Sequence, residues 1–211
     1  ASGNSLRYEQ VNGLVTAAGS TLQGTSAGTL AELLIGTKRQ VATVNAGATA
    51  LAFSNPITLT TMQATTSGST WDFTGIPAGV RRITINWAES SLSGTNNWVV
   101  LLGDVDGFEN TSYISSSGAV ANAGASVVVN STAGFIVASA SAANVLSGSM
   151  VLELFDAATF HWTSSHSVKI STATTVSGGG DKSLSKELTQ IRVAADTADT
   201  GDAGAVMISY E

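Results

Sequence analysis

Two histidines are the first residues in this 211-residue chain that could carry out chemistry. The segment HWTSSH places His161 and His166 five positions apart, a spacing that on a strand directs the two imidazoles to opposite faces. As metal ligands or as a catalytic pair they would need a loop between them, and no carboxylate or cysteine nearby in the sequence completes a site. We therefore interpret both as surface and turn histidines.

Carboxylates in the segment GDVDGFEN form the second candidate site. Asp104, Asp106 and Glu109 have spacings that a calcium ion could use, with glycines that allow the chain to bend. The full EF-hand pattern is absent, and aspartates that accept hydrogen bonds from their own backbone explain the same residues. We favour turns and no bound metal, with these carboxylates as the weak alternative. The same interpretation applies to a later cluster of aspartates, Asp196, Asp199 and Asp202.

The glycine run GGGD at 178–181 is the third candidate, because glycine-rich loops can hold phosphate groups. Here the run is not followed by the GK[ST] sequence of such loops, and Asp181 would repel an anion, so we expect a flexible turn. The chain also has no cysteine nucleophile and no recognisable pair of carboxylates. The sequence therefore predicts a protein that is not an enzyme and uses no cofactor, although carboxylates from distant strands could still form a glycan-cleaving site.

Aromatic residues favour binding over catalysis, since their faces suit the apolar faces of sugar rings. Trp87 alternates with Ile83 and Ile85, so packing in a core explains it. Trp98 and Trp162 lie beside polar segments and are predicted to be exposed. Binding residues concentrate on loops. The predicted receptor-binding residues, for a glycan, are Asn96, Asn97, Trp98, Tyr113, His161 and Trp162.

Composition limits the fold and the partners of the chain. Only 11% of the residues are charged, so Ser, Thr, Asn and Gly must cover much of the surface, as suits strands joined by turns. The net charge of −6, with scattered lysines and arginines, disfavours nucleic-acid binding. No stretch reaches the roughly 18 apolar residues that cross a membrane, and the N-terminal residues lack the pattern of a secretion signal, so we expect no membrane insertion.

Strand patterns fill most of the chain after Pro56. The alternating segment RRITINW predicts a strand at 80–88, and the unbroken apolar run WVVLLGD predicts a strand buried on both faces at 98–104. Short strands at such spacing predict an antiparallel β-sandwich or jelly-roll of about eight strands over residues 57–211. The further predicted strands are 126–130, 134–139, 149–156, 167–172, 188–195 and 205–211.

Residues 1–56 are predicted to form a thin N-terminal segment. Residues 1–34 suggest an extended or partly helical arm, with a brief helical pattern in TLAELLIG at 29–36. The alternation over 37–60, with a turn at 45–47, predicts a small hairpin. This hairpin has too little bulk for a core of its own, so we expect several copies to pair around an axis.

Three segments resemble tailed-bacteriophage fibre proteins: IGTKRQVATVNAGATALAF at 35–53, TGIPAGVRRITI at 74–85 and LTQIRVAADTADTGDAGAVMISYE at 188–211. In those proteins a hairpin of the pattern IGTxGQVLTVNxxGTxLxW lies on the fibre shaft, and a terminal domain ends in DxFDAGxxxIxYE. Two departures stand out. Arg39 occupies the position of a glycine in those hairpins, and Ala52-Phe53 replaces their tryptophan.

The resemblance implies a homotrimer located on the surface of a virion. Its arm and hairpin shaft, residues 1–56, would attach to other virion proteins and align three chains. Its β-rich head, residues 57–211, would contact a host receptor such as a surface polysaccharide. Because the chain is short for a tail fibre, the resemblance also fits a head fibre or capsid decoration protein that stabilises the shell without binding a receptor.

Overall fold

The computed structural model describes residues 21–26, 29–34, 36–44, 51–122, 124 and 126–211. All regular elements in this described part are β-strands, and all strand pairs are antiparallel. The prediction of an all-β fold is confirmed for these residues. The chain divides into two compact units, Ala1–Ile57 and Thr58–Glu211.

The described residues of the first unit form two hairpins. Strand β1 (Thr21–Ser26) pairs with β2 (Thr29–Leu33), and β3 (Val41–Val44) pairs with β4 (Leu51–Ser54). Each hairpin is a separate two-stranded sheet. Sheets of this size are marginally stable at best on their own in water.

Two expectations for the first unit concern these hairpins. The helical conformation predicted at 29–36 is wrong, because Thr29–Leu33 is a strand paired with β1. So short a helix is unstable alone, whereas strand pairing satisfies the backbone hydrogen bonds. The turn predicted at 45–47 and residues 1–20 of the predicted arm lie outside the described residues.

The described part of the second unit contains fourteen further strands. They are β5 (Thr58–Leu59), β6 (Gln63–Ala64), β7 (Thr70–Thr74), β8 (Arg82–Leu92), β9 (Trp98–Asp104), β10 (Gly107–Phe108), β11 (Ile114–Ala121), β12 (Val127–Ser131), β13 (Phe135–Val137), β14 (Leu146–Asp156), β15 (His161–Lys169), β16 (Thr174–Ser183), β17 (Gln190–Ala195) and β18 (Gly201–Tyr210). They belong to two sheets.

The larger sheet has the order β12-β11-β16-β15-β14-β8-β18-β5, and β6 also pairs with β18. The smaller sheet has the order β10-β9-β17-β7, and β13 also pairs with β9. Alternate residues of both sheets enter one hydrophobic cluster, in which Ile85 and Met150 come from the larger sheet and Leu102 and Ile191 from the smaller one. This arrangement is compatible with a β-sandwich.

Several predicted strands agree with the structure. Strand β9 has the predicted bounds 98–104 and is buried along both faces, and β8 extends the predicted 80–88 strand to Leu92. Only 167–169 of the strand predicted at 167–172 lie in a strand, at the end of β15, which begins at His161. Strands β11 and β16 were not predicted, because their serines, threonines and glycines do not alternate with apolar residues.

The glycine run at 178–181 is part of β16 and not the flexible turn that we expected. Strand β16 lies between β11 and β15 in the larger sheet. A Cβ atom on Gly178 would lie 2.6 Å from Cε1 of His166, and one on Gly180 would clash with the carbonyl oxygen of Ile114. Glycine occupies these strand positions because the neighbouring strands leave no room for a side chain.

Candidate functional site

Three of the six predicted receptor-binding residues are buried in the core of the second unit. The side chains of Trp98, Tyr113 and Trp162 are only 0%, 1% and 2% exposed. The ring of Trp98 packs against that of Trp71, with centroids 5.3 Å apart. The expected exposure of both tryptophans is therefore wrong. Strand alternation directs their rings into the core, whatever polar residues stand beside them in the sequence.

Asn96 and Asn97 are in the loop before β9, where their polar groups hold the loop in place. The backbone N–H of Asn96 donates a hydrogen bond to Oδ2 of Asp199 at 2.8 Å. The amide oxygen of Asn97 accepts one from the backbone N–H of Ser139 at 2.8 Å. Both asparagines are half-buried. Their hydrogen bonds give them a structural role within the loop.

The acidic segment after β9 forms a turn and two ion pairs. Oδ1 of the buried Asp104 accepts a hydrogen bond from the backbone N–H of Asp106 at 2.8 Å, as in an aspartate turn. Asp106 pairs with Lys186 at 2.7 Å, and Glu109 pairs with Lys182 at 2.5 Å. Among the described residues, no group of three or more His, Cys, Asp and Glu side chains is placed to hold a metal ion.

The Glu109–Lys182 pair joins a buried lysine to a partly exposed carboxylate. Lys182 is 3% exposed, and its ammonium nitrogen lies 5.3 Å from the centre of the Tyr113 ring. Burial raises the pKa of Glu109, but hydrogen bonds from Lys182 and Ser185 outweigh it, so the net pKa lies below its ordinary value. The carboxylate is therefore ionised and paired with Lys182, which suits a structural role and not that of a general acid or base.

His166 is buried on β15, so its interpretation as a surface histidine is wrong. Its Nε2 lies 2.9 Å from the hydroxyl of Ser117, which accepts a hydrogen bond from the backbone N–H of Ala138 at 3.0 Å. The hydroxyl of Ser115 accepts one from Ile136 in the same way. These serines link β11 to the segment of β13. Burial lowers the pKa of His166 to about 4.

The Ser117–His166 pair has the residue types of a nucleophile and its base but lacks the rest of a catalytic site. Both side chains are buried, at 1% and 5% exposure. Nδ1 of His166 has no hydrogen-bond partner within the described part of the chain, so no carboxylate orients the imidazole. A buried pair without that third group and without access for a substrate acts as a structural hydrogen bond.

An exposed aromatic cluster lies at the end of β14. Phe155 is 74% exposed and is the extra residue of a β-bulge, because Leu154 pairs with Trp162 while Asp156 pairs with His161. Its side chain is exposed, as is that of Glu153 two residues before it. The Phe155 ring meets the imidazole of His161 edge-on at 5.5 Å between centroids.

A carboxylate completes this cluster, which we call the β14–β15 tip and define as Phe155, His161 and Asp181. Nε2 of His161 lies 3.5 Å from Oδ1 of Asp181, and both side chains are partly exposed. An apolar ring beside a carboxylate can contact the apolar face of a ligand and accept hydrogen bonds from its hydroxyl groups, whereas Nε2 of His161 is itself buried. His161 is thus the predicted binding residue that the structure places in an accessible cluster.

Phe155 is not among the predicted binding residues, although the sequence carries a signal for it. In SMVLELFD, Met150, Leu152 and Leu154 alternate with Val151 and Glu153. The next residue after Leu154 follows Glu153 to the outer face if the alternation continues. An aromatic residue on the polar face of a strand is the exception that marks a surface contact.

An open groove of about 400 Å³ lies beside β11, β12 and β16. Its lining includes Ile114, Ser116, Asn130, Thr132 and Gly179. Apart from the buried Tyr113, the lining has no ionisable side chain. The groove therefore has no acid, base or charged group with which to act on a ligand.

The β3–β4 hairpin of the first unit has one apolar face. Its register places Ala42 opposite Phe53 and Val44 opposite Leu51, and directly opposed residues share a face of the sheet. Val44 is 62% exposed and Leu51 is 45% exposed. We call these four residues the apolar hairpin face. Val41, on the opposite face, is 45% exposed.

The turn that enters this hairpin contains a strained residue. The backbone N–H of Gln40 donates to the carbonyl oxygen of Thr37 at 3.1 Å, and Arg39 has a φ of 76°. This position of a type II turn favours glycine, because a side chain there is in the left-handed region.

Comparisons of the chain with protein-family models, with curated proteins and with solved structures found no match. Within the described residues there is no helix long and apolar enough to cross a membrane.

Proposed function

We propose that this protein is a non-enzymatic, homotrimeric component of a virion fibre or appendage. Residues 1–56 attach to other virion proteins and align three chains through the hairpin shaft. Residues 57–211 form a β-sandwich head that binds a host-surface receptor. The observation that carries the proposal is the exposure of the apolar hairpin face in a single chain.

The apolar hairpin face supports association because a hairpin of four-residue strands cannot bury it alone. Val44 keeps 62% of its surface exposed. Burying this exposed part of Val44 would stabilise the trimer by about 1–2 kcal/mol for each chain. Three hairpins around one axis would bury three such faces together, and identical chains form closed rings of this kind. The resemblance of residues 35–53 to a fibre-shaft hairpin points to the same arrangement.

The β14–β15 tip supports receptor binding by the head. Phe155 presents an exposed ring, and His161 and Asp181 supply polar groups beside it. A polysaccharide of the host surface has both apolar ring faces and hydroxyl groups, so it suits this combination. Each contact of this size is weak, but three copies in one trimer bind together and gain avidity.

Binding of the purified protein to whole host cells tests the proposal, with soluble surface polysaccharide as competitor. We expect competed binding that falls at least tenfold for Phe155→Ala. Val105→Ala serves as a matched control, because Val105 is 73% exposed on a different turn of the head. Absence of binding by the unmodified trimer contradicts the receptor role, and release of reducing sugar contradicts the non-enzymatic one.

A capsid decoration or head-fibre protein is the second candidate function. Strand β12 is at the edge of the larger sheet, and its residues Val127 and Val128 are 51% and 74% exposed. A neighbouring shell protein would cover such an apolar edge better than a sugar would. Images of intact particles decide between the two functions. Density on the capsid together with no cell binding favours the decoration role.

A further inference from the structure

A small apolar patch lies at the other edge of the larger sheet, opposite to β12. It consists of Leu59 and Met62, which are 68% and 63% exposed, and we call it the edge patch. Leu59 ends β5, where it pairs with Ser209 of β18. Edges of sheets are usually protected by charged side chains, but no charged residue occurs between Ser54 and Trp71.

The edge patch is suited to side-chain packing more than to strand addition. Strands β5 and β6 have only two residues each, and Thr60 between them donates its N–H to Ile208 at 3.0 Å. So short an edge offers little backbone for a partner strand. Arg82 is paired with Glu211, which follows β18, and Arg192 is paired with Asp72 of β7, so these basic side chains do not form the unpaired positive cluster that would attract an anionic lipid or a nucleic acid. An apolar protein surface is the partner that remains.

The short connection between β4 and β5 indicates which protein surface the edge patch contacts. Strand β4 ends at Ser54 and β5 begins at Thr58, and four residue steps span at most about 14 Å. The start of β5 in each chain therefore lies within about 14 Å of the end of the hairpin strand that, in the proposed trimer, meets the other two copies. Strand β12 is seven strand positions away from β5, roughly 33 Å across the sheet.

We infer that the edge patch is the contact between heads in the trimer: Leu59 and Met62 of one chain pack against the same residues of two further copies around the axis. This inference rests on the proposed function, because the hairpin trimer brings the patches together. It adds a second contact between the copies, within the head.

Cross-linking of single-cysteine variants tests the inference, because the natural chain has no cysteine. Leu59→Cys is compared with Val128→Cys, a control of similar exposure at the opposite edge of the same sheet. Both full-length variants are treated with a short bis-maleimide at several dilutions. Covalent products are separated on a denaturing gel, and the native mass is measured by sedimentation before the reaction.

We expect both variants to sediment as trimers. Leu59→Cys is expected to give covalent dimers at a yield that does not change on tenfold dilution, and Val128→Cys to remain a single chain on the gel. A trimeric mass without cross-links at Leu59→Cys, or with cross-links only at Val128→Cys, overturns the edge-patch contact and leaves the proposed function standing. A monomeric mass for both variants overturns the proposed function and this inference with it.

Discussion

At the scale of single residues, His166 links the stability of the head to pH. Burial lowers its pKa from 6.5 to about 4, so between these values the unfolded chain binds more protons than the folded one. The stabilisation is therefore complete above pH 6.5 and is lost as the pH falls toward 4. Between pH 7 and pH 5 we expect a loss of about 2 kcal/mol in the free energy of unfolding.

Urea unfolding at pH 7 and pH 5 measures this loss, over a range where most carboxylates stay ionised. The variant His166→Gln is expected to lose much less stability on acidification than the natural chain. His161→Gln is the control and should keep the full loss, since His161 is partly exposed on the other face of β15. Equal losses in all three proteins would show that other groups carry the pH dependence.

Arg39 gives the second prediction at this scale. Its φ of 76° is strained for a residue with a side chain, so Arg39→Gly is expected to stabilise the hairpin by about 1 kcal/mol. Hydrogen exchange of the β3 amides should become severalfold slower. Lys38→Gly, the neighbouring position of the same turn without a positive φ, should accelerate this exchange. Faster exchange in Arg39→Gly would contradict the turn geometry.

At the scale of elements, the glycines of β16 predict where the larger sheet tolerates no side chain. Gly180→Ala would place a Cβ against the backbone of β11, and we expect it to lower the free energy of unfolding by about 1–3 kcal/mol. Gly118→Ala is the matched control, because its Cβ would meet its nearest neighbours at an ordinary 3.8 Å. Urea unfolding compares the two, and equal stability of both variants would contradict the tight spacing.

The same strand shows what sequence reasoning can and cannot predict. Strands β8 and β9 have apolar residues at their buried positions. These residues give a pattern from which the strands can be predicted. Strand β16 pairs with β11 and β15, and it contains glycines because atoms of these two strands lie too close for a side chain. The residues of β16 alone do not show this close approach, so the strand could not be predicted from them. Trp98 and Trp162 are buried for a related reason, because strand alternation, and not the polar residues beside them in the sequence, decides where their rings lie.

At the scale of the whole molecule, the proposed trimer depends on the apolar hairpin face. Val44→Asp would place a charge in the shared core of three hairpins, so we expect the trimer to dissociate into single chains. The fluorescence of the buried tryptophans should stay unchanged, because they belong to the second unit. Val105→Asp, on the exposed surface of the head, should leave the trimer intact. Dissociation by both variants would point to a general loss of folding.

Sedimentation equilibrium of the unmodified chain at micromolar concentration is the most direct test of this account. Three chains of 21.3 kDa give a predicted mass of about 64 kDa. A mass of 21.3 kDa, found together with slow hydrogen exchange along β3 and β4, would mean that one hairpin is stable alone. That result would contradict the trimer on which the proposed function depends.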